Sequence, residues 1–296
     1  MKTTLSELLA SGNTIIADGA MGSRLMAAGL PVGEASELWN VKNPDAVRAI
    51  HRSYIEAGSQ IILTNSFGGS RTTLERHGLA DRVAELNQAA AKNARAEADA
   101  AVKPVLVGGS LGPSGALFMP YGPMSMDEGT AVFAEQAAAL AAGGVDVFWI
   151  ETMSDLQEVT AAVTGCRQAD PDIPIVTTMS FDRKGRTMMG VAPDQALTAL
   201  KPLGVLALGG NCGNGPDEIL GVVEKMHATD PDVVLVAKAN AGMPKLVKGV
   251  VSYDAGPAEM AQYAIEAREN GARIIGACCG STAEHIRAIA EALERE

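Results

Sequence analysis

The chain is short of basic residues, histidine, cysteine and long apolar runs, and each shortage closes off a class of function. Lysine and arginine total 24 against 35 acidic residues, a formal net charge of −11. With no basic cluster to follow a phosphate backbone, nucleic acid is not expected as a partner. No stretch approaches the ~18 to 20 consecutive apolar residues of a membrane span, and Met1-Lys2-Thr3-Thr4-Leu5-Ser6 lacks an export signal's apolar core, so a cytoplasmic protein is expected. Four cysteines in a chain of 296 residues, two of them adjacent, do not make a disulfide framework. They point to metal or redox chemistry under reducing conditions. Nor is there a Pro/Gly/Ser linker, a charge run or a low-complexity segment, so residues 1–296 read as one domain.

What is present is an alternation. Eight β-rich apolar runs recur at 14–20, 60–67, 105–111, 145–152, 173–181, 205–212, 233–240 and 272–279. Between them lie segments whose apolar residues step by three and four, such as Val47, Ile50 and Tyr54, or Ile286, Ile289 and Leu293. Nearly continuous apolar strands belong to parallel sheets covered by helices, and eight β-α repeats predict a closed (β/α)8 TIM barrel. A doubly wound open sheet is the weaker alternative. The longest predicted loop, 112–123, follows the third run and is rich in turn formers, with apolar residues suited to a binding wall or to packing.

In such barrels chemistry gathers where strands end. The runs here finish on polar groups: Asp18 before Gly19, Ala20, Met21 and Gly22; Thr64, Asn65 and Ser66; Glu151 and Thr152; Ser180; Asn211 and Cys212; Asn240; and Cys278 with Cys279. A closed barrel can bring Cys212 to the Cys278–Cys279 pair, and three thiolates suit zinc while leaving a fourth position open. Successive strand residues face opposite ways, so both thiols of the pair reach one ion only if the strand breaks there. Gly280, Ser281 and Thr282 supply a turn and a helix cap at that point. Cys166, in a helical stretch, reads as a structural thiol. His51, His77, His227 and His285 all read as helical, which leaves histidine-based hydrolysis without parts.

Taken in order, Asp18-Gly19-Ala20-Met21-Gly22, Thr64-Asn65-Ser66-Phe67-Gly68, Glu151-Thr152, Gly210-Asn211-Cys212 and Gly276-Ala277-Cys278-Cys279-Gly280 resemble the homocysteine S-methyltransferase family over nearly the whole chain. That family includes betaine-homocysteine methyltransferase and the homocysteine domain of cobalamin-dependent methionine synthase. The resemblance implies a zinc-bearing barrel that moves a methyl group onto the homocysteine sulfur, giving methionine. It implies Cys212, Cys278 and Cys279 as zinc ligands that activate the substrate thiol, with Asn240 a candidate for the fourth position before substrate arrives. Glu151 looks like the family glutamate that pairs with the homocysteine ammonium. Backbone amides of Ala20, Met21 and Gly22 are suited to the carboxylate. Asp18, Thr64, Asn65, Ser180 and Asn211 complete the expected substrate pocket.

The methyl donor is less marked. Aromatic faces attract onium cations, and Trp39, Phe67 and Tyr121 are the candidates for such a site. Gly68 and Thr152 stand where the vertebrate betaine enzyme has tyrosines, so its donor cage is not reproduced. Against that, 34–40 and 118–122 resemble segments of bacterial proteins grouped with betaine-homocysteine methyltransferases, and betaine is the expected donor. S-methylmethionine, dimethylsulfoniopropionate and a methylcorrinoid protein in trans are the alternatives, and a non-catalytic zinc-binding barrel is the remote one. The chain ends soon after the Cys-Cys helix, and a complete methionine synthase is therefore not expected. A homo-oligomer leaves no mark in the sequence, because any surface helix of a barrel can form an interface.

Overall fold

The structure of the protein, a computed structural model, describes residues 3–247 and 250–294. Its strands are β1 (Ile15–Ile16), β2 (Ile61–Leu63), β3 (Leu106–Leu111), β4 (Val147–Met153), β5 (Ile175–Met179), β6 (Ala207–Cys212), β7 (Leu235–Ala239), β8 (Lys245–Val247), β9 (Val250–Ser252) and β10 (Ala272–Ala277). Eight of them pair in the order β1-β10-β7-β6-β5-β4-β3-β2, every neighbour parallel. A parallel bridge from Ala17 to Ile61 joins the first strand to the second and closes the expected (β/α)8 barrel. The antiparallel hairpin β8–β9 lies outside the eight predicted runs.

Alternation along each strand separates two cores. Val147 and Trp149 point into the barrel, with Ile15, Ile61, Leu106, Val176, Val236 and Ile274, while Phe148 and Ile150 join the shell between strands and helices. Leu5, from the short helix Leu5–Ala10, adds to the interior layer. The helices dock as their spacing predicts: Val47, Ile50 and Tyr54 are buried on Pro44–Glu56, and Ile286 and Ile289 on Ala283–Glu294. Four helices start on proline (Pro44, Pro193, Pro216 and Pro257). The missing N–H is not needed at that position, and the fixed φ is already helical.

Most strands are shorter than predicted, in β1, β2, β5, β7 and β10 because the last residues of the run leave the ladder for loops at the barrel mouth. Past β2, the Ser66 N–H turns back to Thr64 O at 2.9 Å, and past β7 the Gly242 N–H turns back to Asn240 O at 2.7 Å. His77 also departs from expectation, lying in the turn after the helix Arg71–Glu75. Among the described residues no helix is long and apolar enough to cross a membrane.

Candidate active site

Two backbone irregularities aim the sulfurs. Cys212 closes β6 with φ 61°, a left-handed conformation uncommon for a residue with a Cβ. It breaks the alternation of the strand and turns the side chain toward the mouth. β10 stops at Ala277, and the pair beyond it is held by cross-strand bonds. The Cys278 N–H donates to Ala239 O at 2.7 Å, the Cys279 N–H to the Asn240 side-chain oxygen at 3.0 Å, and the Ala241 N–H to Cys279 O at 2.9 Å. Gly280, at φ +83°, then reverses the chain. The strand break that two adjacent thiols require is therefore present.

Cys212, Cys278 and Cys279 bring their sulfurs within 4.8 Å of one another, with Cys212 Sγ and Cys278 Sγ 2.9 Å apart. Hydrogen bonds from Cys212 and Cys278, with a smaller contribution from Tyr253, drop the Cys279 thiol to about 3. A hydrogen bond with Cys212 lowers Cys278, but donation to Cys279 and burial outweigh it and push that thiol up to about 12. Without a cation, the cluster thus tolerates one thiolate and resists further negative charge. A soft dication relieves that, and three converging sulfurs are the donor set that zinc or another thiophilic metal takes. Cys166 is buried alone, its pKa raised by desolvation.

A polar frame surrounds the sulfurs. Asn211 is fully buried; its oxygen accepts from the Thr152 N–H at 2.8 Å and Thr178 Oγ1 at 2.7 Å, and its nitrogen donates to Thr152 Oγ1 at 2.7 Å. That frame holds Thr152 at φ 62°, a strained conformation for a β-branched residue. Asn240 links the two cysteine loops, its nitrogen donating to Gly213 O at 2.6 Å while its oxygen takes the Cys279 N–H. Both of its polar ends are engaged with backbone.

Glu151, nearly buried at the end of β4, accepts from Ser110 Oγ at 2.6 Å through Oε1, while Oε2 has no partner among the described residues. Burial raises its pKa to about 7 against the opposing pull of Lys238. Asp18 is committed on both oxygens, accepting from the Leu63 N–H at 2.7 Å and from Lys238 Nζ at 2.8 Å. Lys238 escaped the sequence reading, although it is the one charge in the run Val233–Asn240. Burial works to strip its proton, but Asp18 and Glu151 outweigh that and hold its pKa above the ordinary lysine value. It lies over the Trp149 ring, 5.5 Å from the centroid.

The other predicted pocket residues divide. The Ala20 N–H is taken by Ser281 Oγ at 3.0 Å, whereas Met21 and Gly22 open the short helix Gly22–Ala27, whose first amides have no intrahelical acceptor. Thr64 Oγ1 bonds Ser66 Oγ and receives the Ser110 N–H, which ties β2 to β3. The Asn65 amide turns to Ser36 O and Asn40, anchoring the segment Ser36–Leu38. Ser180 is half-buried after β5, its N–H on Met153 O. Of the aromatics, Trp39 is packed in the outer core with its indole N–H on Glu34, Phe67 is 44% exposed against Gly112, and Tyr121 is 71% exposed on the long loop.

Comparison with known proteins adds the following. A family model described as homocysteine S-methyltransferase matches residues 15–293. The methionine synthase of Mycobacterium leprae (strain TN) is 34% identical over 99% of this chain and 25% of that protein. That of Mycobacterium tuberculosis (strain ATCC 25618 / H37Rv) is 34% identical over 98% and 25%. The chain thus spans about a quarter of the length of these curated relatives. Among solved structures it is similar to the metallated form of the homocysteine methyltransferase MmuM from Escherichia coli, with a TM-score of 0.82 and 24% identity over 97% of this chain and 99% of that one.

Proposed function

The chain belongs to the homocysteine S-methyltransferase family, and from that premise we propose that it transfers a methyl group from glycine betaine to the sulfur of homocysteine, giving methionine, with zinc as its metal. The observation that carries the reading is the convergence of three cysteine sulfurs at the same barrel mouth as a buried carboxylate with one oxygen unpartnered among the described residues. Cys212, Cys278 and Cys279 would hold zinc, which when bound lowers a thiol's pKa from about 8.5 so that thiolate persists at neutral pH.

The chain's own residues do the rest. Glu151 Oε2 receives the ammonium of the amino acid while Ser110 keeps the carboxylate from rotating away. The amides of Met21 and Gly22 face the substrate carboxylate as an anion-binding helix start. The Asn211–Thr152–Thr178 frame fixes the direction of Cys212, and Asn240 fixes Cys279, so the sulfurs keep one geometry through the reaction. Walls of this kind contribute by proximity and orientation. As the new S–C bond forms, the C–N bond of betaine breaks and its electron pair leaves on dimethylglycine, a neutral amine at the reacting nitrogen.

The betaine assignment is supported by the segments 34–40 and 118–122, and Phe67, past β2, and Tyr121, on the loop after β3, supply exposed aromatic faces. A methylcorrinoid donor in trans is a second reading, favoured by the identity to proteins named methionine synthase. We assign the reaction to the cytoplasm, where reducing conditions would keep three ligand thiols from pairing as disulfides. The test is methionine formation by the zinc-loaded protein from homocysteine with betaine, dimethylsulfoniopropionate, S-methylmethionine or a methylcobalamin protein in parallel. Turnover with betaine is the expected result. Turnover with another donor and none with betaine removes the donor assignment, and no methionine from any of the four removes the function. Metal analysis should find about one zinc per chain, lost or much weakened in Cys212→Ala and Cys279→Ala.

A further inference from the structure

Within the barrel sits a charge cluster that the sulfur chemistry does not require. Lys238 and Asp18 are each 2% exposed and 2.8 Å apart. In the sheet register Lys238 is level with Asn211 on β6 and Gly276 on β10, one residue below Cys212. With both carboxylates ionised, Asp18, Glu151 and Lys238 sum to one uncompensated negative charge, which burial resists by raising the pKa of each carboxyl group. Asp18 has both oxygens occupied inside the protein, and Glu151 has one free. A buried charge costs several kcal/mol unless paired, so this arrangement calls for one more cation and offers it a single carboxylate.

We propose that Lys238 is a specificity-determining positioning residue: it occupies Asp18, leaves Glu151 as the one anion open to a ligand, and so sets the pocket to accept a single ammonium group. The inference rests on the reading of this mouth as the homocysteine site and deepens it. Without Lys238, Asp18 and Glu151 remain as two buried carboxylates whose charges oppose one another, and protonation of one of them is favoured. Glu151 then meets an incoming ammonium partly neutral. Without the Asp18 charge, Lys238 turns to Glu151, its only other carboxylate partner in the cluster, and competes with the ligand. Removing both charges leaves Glu151 as it began, with neither a cation nor a second anion beside it.

A charge-matched cycle tests this by calorimetric titration of zinc-loaded protein with homocysteine and with 4-sulfanylbutanoate, which keeps the thiol and carboxylate and lacks the ammonium. Lys238→Met and Asp18→Asn should each weaken homocysteine binding about tenfold or more, one pH unit of carboxylate shift being a factor of ten. The double variant should return to within about threefold of wild type. Affinity for 4-sulfanylbutanoate should change by less than about threefold throughout, because that ligand makes no use of Glu151. A purely structural role for Lys238 would weaken both ligands alike. Should Lys238→Met not fold, Asp18→Asn against the double variant carries the same contrast. The proposal is overturned if wild type binds homocysteine and the double variant is no tighter than the weaker single one, or if the analogue loses as much affinity as homocysteine. Zinc-loaded wild type that takes up no homocysteine at all overturns the reading of the site, and the role of Lys238 with it.

Discussion

Gly280→Ala is the sharpest single test of how the cysteine pair is held. Gly280 has φ +83°, and a Cβ there would lie 2.1, 2.4 and 2.6 Å from three ring carbons of Tyr253. Ordinary carbon contacts fall near 3.5 to 4.0 Å, so the ring must retreat by roughly 1.4 Å or the turn must open. Holding alanine in the left-handed region costs about 1 to 2 kcal/mol. Displacing the half-buried ring loses its packing over the turn, about 1 to 2 kcal/mol more. The expected destabilisation is about 3 kcal/mol in urea unfolding of the reduced, metal-free protein, with zinc affinity against a competing chelator falling about tenfold or more. In a Tyr253→Ala background the clash is gone, and the same substitution should cost only the left-handed strain of about 1 to 2 kcal/mol. Equal costs in the two backgrounds would show that the ring does not clamp this turn.

His51 is fully buried with neither ring nitrogen hydrogen-bonded, and desolvation lowers its pKa from 6.5 to about 4, partly opposed by Glu97. Its folded pKa lies below the unfolded value, so the unfolded chain takes the proton first. Stability is then full above pH 6.5 and falls by about 3 kcal/mol as the pH drops to 4. His51→Leu should flatten the stability profile between pH 6.5 and 4, and an unchanged slope in denaturant titrations would refute this. Asn211→Ala strands the Thr152 N–H and the Thr178 hydroxyl in a buried site, and should cost about 2 to 4 kcal/mol. Circular-dichroism melts would check this, with a shift too small to measure as the contrary result.

Much of the frame is legible in the sequence because it depends on local periodicity. The nearly continuous apolar run of 145–150 reads as a strand covered on both faces, and the structure buries Val147 and Trp149 in the barrel and Phe148 and Ile150 in the shell. The break after Ala277 is equally local, since Cys278 and Cys279 cannot face one ion from a regular strand and Gly280 stands ready to turn the chain. Where the reading overshot, as in runs carried to Phe67, Asn240 and Cys279, the hydrogen bonds of the last residues are spent on loops. Side-chain amides such as Asn240 take the place of a strand neighbour there.

Lys238 shows where local pattern stops. A lysine inside an apolar run is visible in the sequence, but its partner Asp18 is 220 residues away, and only barrel closure puts the two 2.8 Å apart. The same holds for Asn240, which bridges Gly213 and Cys279, and for Asp18, whose two oxygens meet the Leu63 N–H and Lys238 Nζ. By itself the sequence determined the β-α rhythm, the polar residues at the strand ends and the three cysteines available to converge, because period and residue type are properties of neighbours along the chain. Tertiary structure alone decided which carboxylate remains open, which amide is already taken and which cation lies beneath the sulfurs, because each depends on a register between strands that no neighbour in sequence fixes.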